Sequence, residues 1–213
     1  MKNRIAAIRR KTKEVQVRGR LNLDGKGKAS ISTGIRFLDH MLELFAKHGL
    51  FDLELKATGD LDIDLHHTNE DVGLALGEAF KKALGDKKGI RRMGHVFVPM
   101  DETLAQVRAV VDVSGRPHLA WGWNASSRQE SFRRSQRSGN SLRPIAYDLN
   151  DTRHFLESFV VKSEVTLHVD VLKAGGDFHH LMESIFKAAG RSLRDAVEMD
   201  RRVRGVPSTK GTL

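Results

Sequence analysis

The 213-residue chain contains no cysteine and no long apolar run. The missing cysteine excludes disulfide bonds, thiolate metal ligands and cysteine nucleophiles, although it leaves the cellular compartment open. No stretch approaches the ~20 consecutive apolar residues of a membrane-spanning helix, and the opening Met1-Lys2-Asn3-Arg4 lacks the apolar core of a signal peptide. We therefore expect a cytoplasmic protein without membrane contact, folded as one large domain or two small fused ones.

Acidic residues are fewer than basic ones: 27 aspartates and glutamates stand against 36 lysines and arginines, which gives a net charge of +9. Such an excess favours anionic partners, namely phosphorylated metabolites, nucleic acid or acidic surfaces. Residues 126–143 are rich in arginine, serine, glycine and asparagine, which indicates an exposed polar loop. Because Phe132 is the only aromatic residue of that stretch, stacking on bases is poorly supported and nucleic acid is a disfavoured partner.

One pattern of histidine and glutamate occurs twice and takes up six of the ten histidines. Each copy has a lone histidine, then a histidine doublet 26 or 25 residues later, and a glutamate three residues beyond the doublet. On a helix both histidines of a doublet would neighbour that glutamate, and imidazole with carboxylate is a ligand set for divalent transition metals. Surface histidines have no reason to recur in register, so the pattern suggests two metals, or one dinuclear site, built by a duplicated unit. The first copy is His40, His66, His67 and Glu70, and the second is His154, His179, His180 and Glu183.

The hydrophobic periodicity changes repeatedly between that of a strand and that of a helix. In the first half it predicts strands over 15–23, 53–57 and 61–65 and helices over 37–45 and 70–84. In the second half it predicts strands over 107–113 and 165–171 and helices over 152–161 and 179–197. This order predicts an α+β fold of two similar halves, a tandem duplication at about 1–95 and 96–213. Each half is expected to form a mixed sheet covered by helices on one side.

Five segments of the chain form a distinctive ordered set, namely 33–42 (TGIRFLDHML), 64–73 (DLHHTNEDVG), 99–102 (PMDE), 114–117 (SGRP) and 207–211 (PSTKG). They resemble, in the same order, segments of the imidazoleglycerol-phosphate dehydratases of histidine biosynthesis, and the resemblance extends over residues 4–213. It implies a single domain over 1–213 whose halves have the fold named after the second domain of ribosomal protein S5. It also implies two Mn²⁺ ions per active site and a homo-oligomeric cage of about two dozen subunits with active sites at subunit contacts.

The reaction of that family is the loss of water from imidazole glycerol phosphate, which gives imidazole acetol phosphate. The carbon-bound proton beside the ring is barely acidic, so a metal on the ring nitrogen is needed to stabilise negative charge, together with a base for the proton. The resemblance makes all eight residues of the histidine pattern metal ligands, with their division between two metals left open. It implies catalytic roles for Glu14, His40, His67, Glu70 and Glu183. It assigns the substrate phosphate to Arg92, Arg116, Lys187, Ser208 and Lys210, whose cationic and hydroxyl groups suit a phosphate.

Several positions depart from the family's pattern. Leu44 replaces the usual glutamine, Val15-Gln16 replaces Thr-Asp, and the segment 174–178 is one residue longer than usual. A tail that closes over the substrate is a hypothesis for residues 208–211. Two alternatives stay open: a non-catalytic metal-binding protein of the same fold, and a basic RNA-binding module. The four other histidines, His48, His95, His118 and His168, are expected to be structural or exposed.

Overall fold

The computed structural model describes residues 4–111, 115–123 and 147–209. The arginine-rich stretch 126–143 and Lys210 lie outside these residues. In the described part of the chain, four strands and two helices follow the same order twice. The first half contains β1 (Ile5–Lys11), β2 (Val15–Asn22), β3 (Ala29–Ser32), α1 (Arg36–Gly49), β4 (Asp52–Gly59) and α2 (His66–Leu84). The second contains β5 (Met93–Met100), β6 (Thr103–Val111), β7 (His118–Trp123), α3 (Leu149–Ser163), β8 (Val165–Lys173) and α4 (Phe178–Val197).

Each half builds one four-stranded mixed sheet, in the order β1-β2-β4-β3 or β5-β6-β8-β7. In both sheets the first two pairings are antiparallel and the last is parallel. The parallel pair is connected through a helix, α1 or α3, because parallel neighbours need a crossover. This repeated topology confirms the predicted α+β fold of two similar halves. The second sheet already begins at Met93, a little before the expected boundary at residue 95.

The core lies between the helices and one face of each sheet. Along β2, Val15, Val17 and Leu21 are buried whereas Gln16 and Arg18 are exposed, as the two-residue period of a strand requires. The helices pack across the halves, α1 against α4 and α2 against α3. Over the described residues, no helix is both long and apolar enough to cross a membrane.

Two glycines allow the paired helices to approach closely. A Cβ atom at Gly77 of α2 would stand 2.3 Å from the carbonyl oxygen of Phe159 in α3. One at Gly190 of α4 would stand 2.4 Å from the carbonyl oxygen of Phe45 in α1. Because no other residue fits this separation, the glycines hold each helix of one half against a helix of the other.

The prediction of a strand over 61–65 is wrong. The carbonyl oxygen of Asp60 accepts hydrogen bonds from the backbone N–H groups of Ile63 (2.9 Å) and Asp64 (3.3 Å), which turns the chain. Ile63 is 72% exposed, so the apparent alternation there does not reflect a buried face. The next helix, α2, begins at His66 rather than at residue 70, which places the first histidine doublet in its opening turn.

Four strands were not predicted, namely β1, β3, β5 and β7. All four are edge strands: β1 and β3 in the first sheet, β5 and β7 in the second. Edge strands carry a weaker pattern of alternation because one side of their backbone faces no partner strand.

Candidate metal centre

The first group of predicted ligands joins the two halves. His40, on α1, meets His179 and Glu183, which lie one turn apart on α4. The Nε2 atoms of His40 and His179 lie 3.3 and 2.8 Å from Glu183 Oε1. The two imidazole rings stack with centroids 5.2 Å apart and planes 25° from parallel. All three ligand atoms therefore point at one place.

A second group has the same arrangement, but here the lone histidine comes from the second half and the doublet from the first. His154, on α3, meets His66 and Glu70 on α2. The Nε2 atoms of His66 and His154 lie 3.7 and 3.8 Å from Glu70 Oε2, and their rings stack at 4.3 Å and 14°. In each group the ligand atoms lie within 4.8 Å of one another. Two imidazoles and a carboxylate in this geometry fit a divalent transition metal.

The lone histidine of each half thus approaches the doublet of the other half, not its own. This follows from the helix pairing, since α1 packs on α4 and α2 packs on α3. Within one chain, the structure places His40 with His179 and Glu183, and His154 with His66 and Glu70.

The second histidine of each doublet lies outside these two groups and is held by a carboxylate. His67 Nδ1 lies 2.9 Å from Asp60 Oδ2, and His180 Nδ1 lies 3.2 Å from Glu102 Oε2. These hydrogen bonds are the main reason that the pKa of each imidazole is raised. A carboxylate on Nδ1 selects the tautomer with its proton there, which leaves the lone pair of Nε2 available to a metal.

Glu183 is ionised through its contacts. Burial is the largest influence and raises its pKa, but hydrogen bonds from Lys187, His40 and His179 outweigh it and lower the pKa to about 2. The Lys187 ammonium donates to Oε2, the carboxylate oxygen that the histidines do not share. A metal ligand must be deprotonated, so Glu183 meets that requirement at neutral pH.

Glu14, the predicted base, lies on the short connection between β1 and β2 and its side chain is exposed. Its backbone N–H donates to Thr12 Oγ1 at 3.2 Å. The negative charge of Glu14 is close enough to His67 to contribute, after Asp60, to the raised pKa of that imidazole. The structure therefore brings Glu14 towards the first histidine doublet.

The predicted phosphate ligands lie in several places of one chain. Lys187 lies beside Glu183 on α4, one turn further along. Arg92 Nη1 donates to the carbonyl oxygen of Pro207 at 2.9 Å, so Arg92 and the neighbouring Ser208 come together. Its Nε atom is buried without a hydrogen-bond partner. Arg116 is exposed just before β7, and Lys210 lies beyond the described residues.

Asp60 and Glu102 are the functional residues that sequence reasoning missed. Glu102 belongs to a segment, 99–102, that resembles the family, yet it received no role because its partner His180 is far away in sequence. Its Oε1 also accepts the backbone N–H of Asp177 at 3.3 Å, within the unusual segment 174–178. Asp177 in turn caps α4 by accepting the N–H groups of His179 and His180. The longer segment 174–178 is therefore linked by hydrogen bonds, through Asp177 and Glu102, to the doublet His179-His180.

Leu44 lies on α1, where it is partly buried and packs against the hydrophobic core. Among the described residues, none of the other four histidines belongs to a potential ligand group. His95 and His118 are exposed, and His118 contacts His168 edge to face at a centroid distance of 6.0 Å.

The chain is similar to known proteins along most or all of its length. The family model described as "Imidazoleglycerol-phosphate dehydratase" matches residues 33–193. Relatives with that name include a protein of Clostridium botulinum (strain Langeland), 49% identical over 213 residues and 100% of both chains. Another, from Herminiimonas arsenicoxydans, is 49% identical over 99% of this chain and 98% of its own.

Solved structures of the family have the same fold. The Pyrococcus furiosus enzyme, in complex with (S)-C348, superimposes with a TM-score of 0.74 at 31% identity and covers 96% of this chain and 99% of its own. The Staphylococcus aureus enzyme gives a TM-score of 0.71 at 30% identity and covers 92% and 99%. The chain therefore belongs to the imidazoleglycerol-phosphate dehydratase family.

Proposed function

We propose that this protein dehydrates imidazole glycerol phosphate to imidazole acetol phosphate and water, as a step of histidine biosynthesis that requires two Mn²⁺ ions per active site. The observation that carries the proposal is the pair of ligand groups that combine both halves of the chain, each with two histidines and one glutamate. Ligands of this kind, nitrogen with carboxylate oxygen and no sulfur, suit Mn²⁺ and related divalent metals.

His67 and His180 support an assembly with sites at subunit contacts. Neither belongs to the two groups that join the halves; His180 shares a further potential ligand group with Asp101 and Glu102. Both histidines have Nδ1 hydrogen-bonded to a carboxylate. A histidine prepared in this way is typical of a metal ligand. We therefore assign these two histidines to metals held by neighbouring copies, which accounts for the predicted cage of about two dozen subunits.

In the reaction, the ring in its imidazolate form expels the hydroxyl from the carbon attached to it, and this hydroxyl leaves with a proton as water. Glu14 takes the proton from the next carbon, and the electron pair of that C–H bond completes the double bond of an enol. When bound, a divalent metal on a ring nitrogen supplies stabilisation of the negative charge that develops there. The enol that results becomes the ketone by tautomerisation.

Cationic groups of the chain hold the substrate phosphate. The buried Nε atom of Arg92 has no partner, and an anion would satisfy it. Lys187 lies beside the His40 group, where its ammonium would be available to a phosphate when the Glu183 carboxylate serves as a metal ligand. Arg116, Ser208 and Lys210 complete the proposed set.

Turnover of imidazole glycerol phosphate by metal-stripped protein, before and after addition of Mn²⁺, tests the proposal. Mg²⁺ serves as the control ion, because it prefers sites with oxygen ligands and retained waters. We expect activity with Mn²⁺ and little with Mg²⁺. Protein that binds two Mn²⁺ per chain yet produces no imidazole acetol phosphate would instead be a non-catalytic metal-binding protein. Salt-sensitive retention of RNA without any metal requirement would favour the RNA-binding alternative.

A further inference from the structure

We propose that Asp71 and Thr12 are positioning residues for Glu14: they connect the loop that carries this base to the helix turn that carries the ligand Glu70. The inference rests on the proposed function, in which Glu14 removes the carbon-bound proton. It adds two residues that touch neither metal nor substrate in that proposal.

The Thr12 hydroxyl organises the connection between β1 and β2. Its oxygen accepts hydrogen bonds from the backbone N–H groups of Glu14 (3.2 Å) and Val15 (2.9 Å). The backbone of Thr12 closes the same turn, because its N–H donates to the carbonyl oxygen of Val15 at 2.9 Å. The position of the Glu14 backbone therefore depends on where the Thr12 hydroxyl is held.

Asp71 holds that hydroxyl from another element. Thr12 Oγ1 lies 3.1 Å from Asp71 Oδ2 and 3.3 Å from the Val15 carbonyl oxygen, and it has a single proton to donate. The carboxylate is the nearer and, being charged, the stronger acceptor. Arg10 Nε donates to the other oxygen, Oδ1, at 2.5 Å. With both oxygens bound, the Asp71 carboxylate is fixed in orientation.

Asp71 also lies on the helix that carries two of the predicted metal ligands. It directly follows Glu70 in the second turn of α2 and is only 6% exposed. One rigid helix end thus carries the ligands His66 and Glu70 and the anchor of the base.

The energetics favour a positioning role over a purely structural one. The partly buried ion pair Arg10–Asp71 adds little net stability, because the desolvation of its charges offsets much of their attraction. A short surface connection is ordinarily mobile, whereas a general base must stay within hydrogen-bond reach of its proton. Misplacement of a reacting group by about 1 Å lowers turnover by as much as about 100-fold.

A matched pair of variants tests the inference. Thr12→Val removes the hydroxyl while keeping the shape of the side chain, and Thr12→Ser keeps the hydroxyl. We expect Thr12→Val to lower kcat by about 10- to 100-fold with KM nearly unchanged, and Thr12→Ser to stay within about threefold of the parent. Mn²⁺ bound per chain and particle size should be the same in all three proteins.

The double variant Thr12→Val/Glu14→Gln separates positioning from general structural damage. If Thr12 acts through Glu14, introducing Thr12→Val into the Glu14→Gln protein changes its residual kcat by less than about twofold. An equal loss in both backgrounds, or full activity of Thr12→Val beside an impaired Glu14→Gln, would overturn the inference. Full activity of Glu14→Gln would overturn the role of Glu14 in the proposed function instead.

Asp71→Asn provides a second route should Thr12→Val fold poorly. It keeps the size of the side chain and one acceptor oxygen, but it weakens the bonds to Arg10 and Thr12. We expect an intermediate loss of kcat, again with unchanged metal content. An Asp71→Asn protein with the parent's kcat would contradict the proposed anchor.

Discussion

His154, from the second half of the chain, stacks on His66 of the first half with ring centroids 4.3 Å apart. Their Nε2 atoms both face Glu70 Oε2. The equivalent contact in the other group joins His40 of the first half to Glu183 of the second. Each of these two potential ligand groups therefore draws on both halves of the duplication.

The exchange between halves predicts the effect of removing one lone histidine. His154→Ala deletes a ligand from the Glu70 group and leaves the Glu183 group intact. We expect tightly bound Mn²⁺ to fall from two ions to one per chain and turnover to fall by about 100-fold or more. Elemental analysis and a turnover assay measure both. His168→Ala is the matched control, and a variant at His154 that keeps two tight ions would contradict the assignment.

If His67 and His180 bind metals of neighbouring copies, removing the metals should break the assembly. We expect a chelator to shrink the particle in light scattering and Mn²⁺ to restore it. Glu102→Gln weakens the hydrogen bond to His180 Nδ1. It should therefore reduce Mn²⁺ affinity by about 10- to 100-fold and lower the chelator concentration needed to dissociate the particle. Glu157→Gln, at an exposed ion pair with Arg153, serves as the control. A particle of unchanged size after complete metal removal would rule out metal bridging.

The close contact of α2 with α3 predicts that Gly77→Ala is destabilising. Its Cβ would stand 2.3 Å from the Phe159 carbonyl oxygen, so the two helices must separate. We expect the free energy of unfolding to fall by about 1–3 kcal/mol, as measured by urea denaturation at one protein concentration. Gly176→Ala is the control, because no atom lies within 4 Å of its added Cβ. Equal stability of the two variants would show that the helices adjust without loss.

Asp52 predicts a dependence of stability on pH. Its carboxylate accepts the backbone N–H groups of Lys26 (2.8 Å) and Lys28 (3.0 Å), and the bond from Lys26 is the main reason that its pKa is lowered. A pKa lowered in the folded state adds stability above the unfolded value of about 3.9, and this stability is lost as the pH falls through the folded value. Asp52→Asn should therefore lower the melting temperature at neutral pH, with a smaller difference in acid. A difference that is constant with pH would contradict this account, and exposed Asp62→Asn is the control.

The tail after Val206 is expected to act on substrate binding. Deletion of residues 207–213 removes Ser208, Lys210 and the Pro207 carbonyl oxygen that accepts from Arg92. We expect KM for imidazole glycerol phosphate to rise at least about tenfold, since phosphate contacts are lost. Steady-state kinetics at saturating Mn²⁺ measure this. Unchanged turnover and affinity would exclude a tail that closes over the substrate.

Local patterns predicted the elements of the fold where the chain alternates around a buried face. Strands β2, β4, β6 and β8 and all four helices were anticipated, although α2 begins earlier than expected. The edge strands, and the turn that replaced a strand after Asp60, depend on backbone hydrogen bonds to residues that the local pattern does not identify.

The amino-acid sequence by itself determined the duplicated unit, the set of predicted metal ligands and the family resemblance, because all three are patterns along the chain. Only the tertiary structure decided which histidine faces which glutamate. That choice depends on the packing of α1 on α4 and α2 on α3, which the glycines at 77 and 190 allow. The carboxylates of Asp60, Asp71 and Glu102 likewise acquire their roles through partners brought close by folding, so no spacing in the sequence could have identified them.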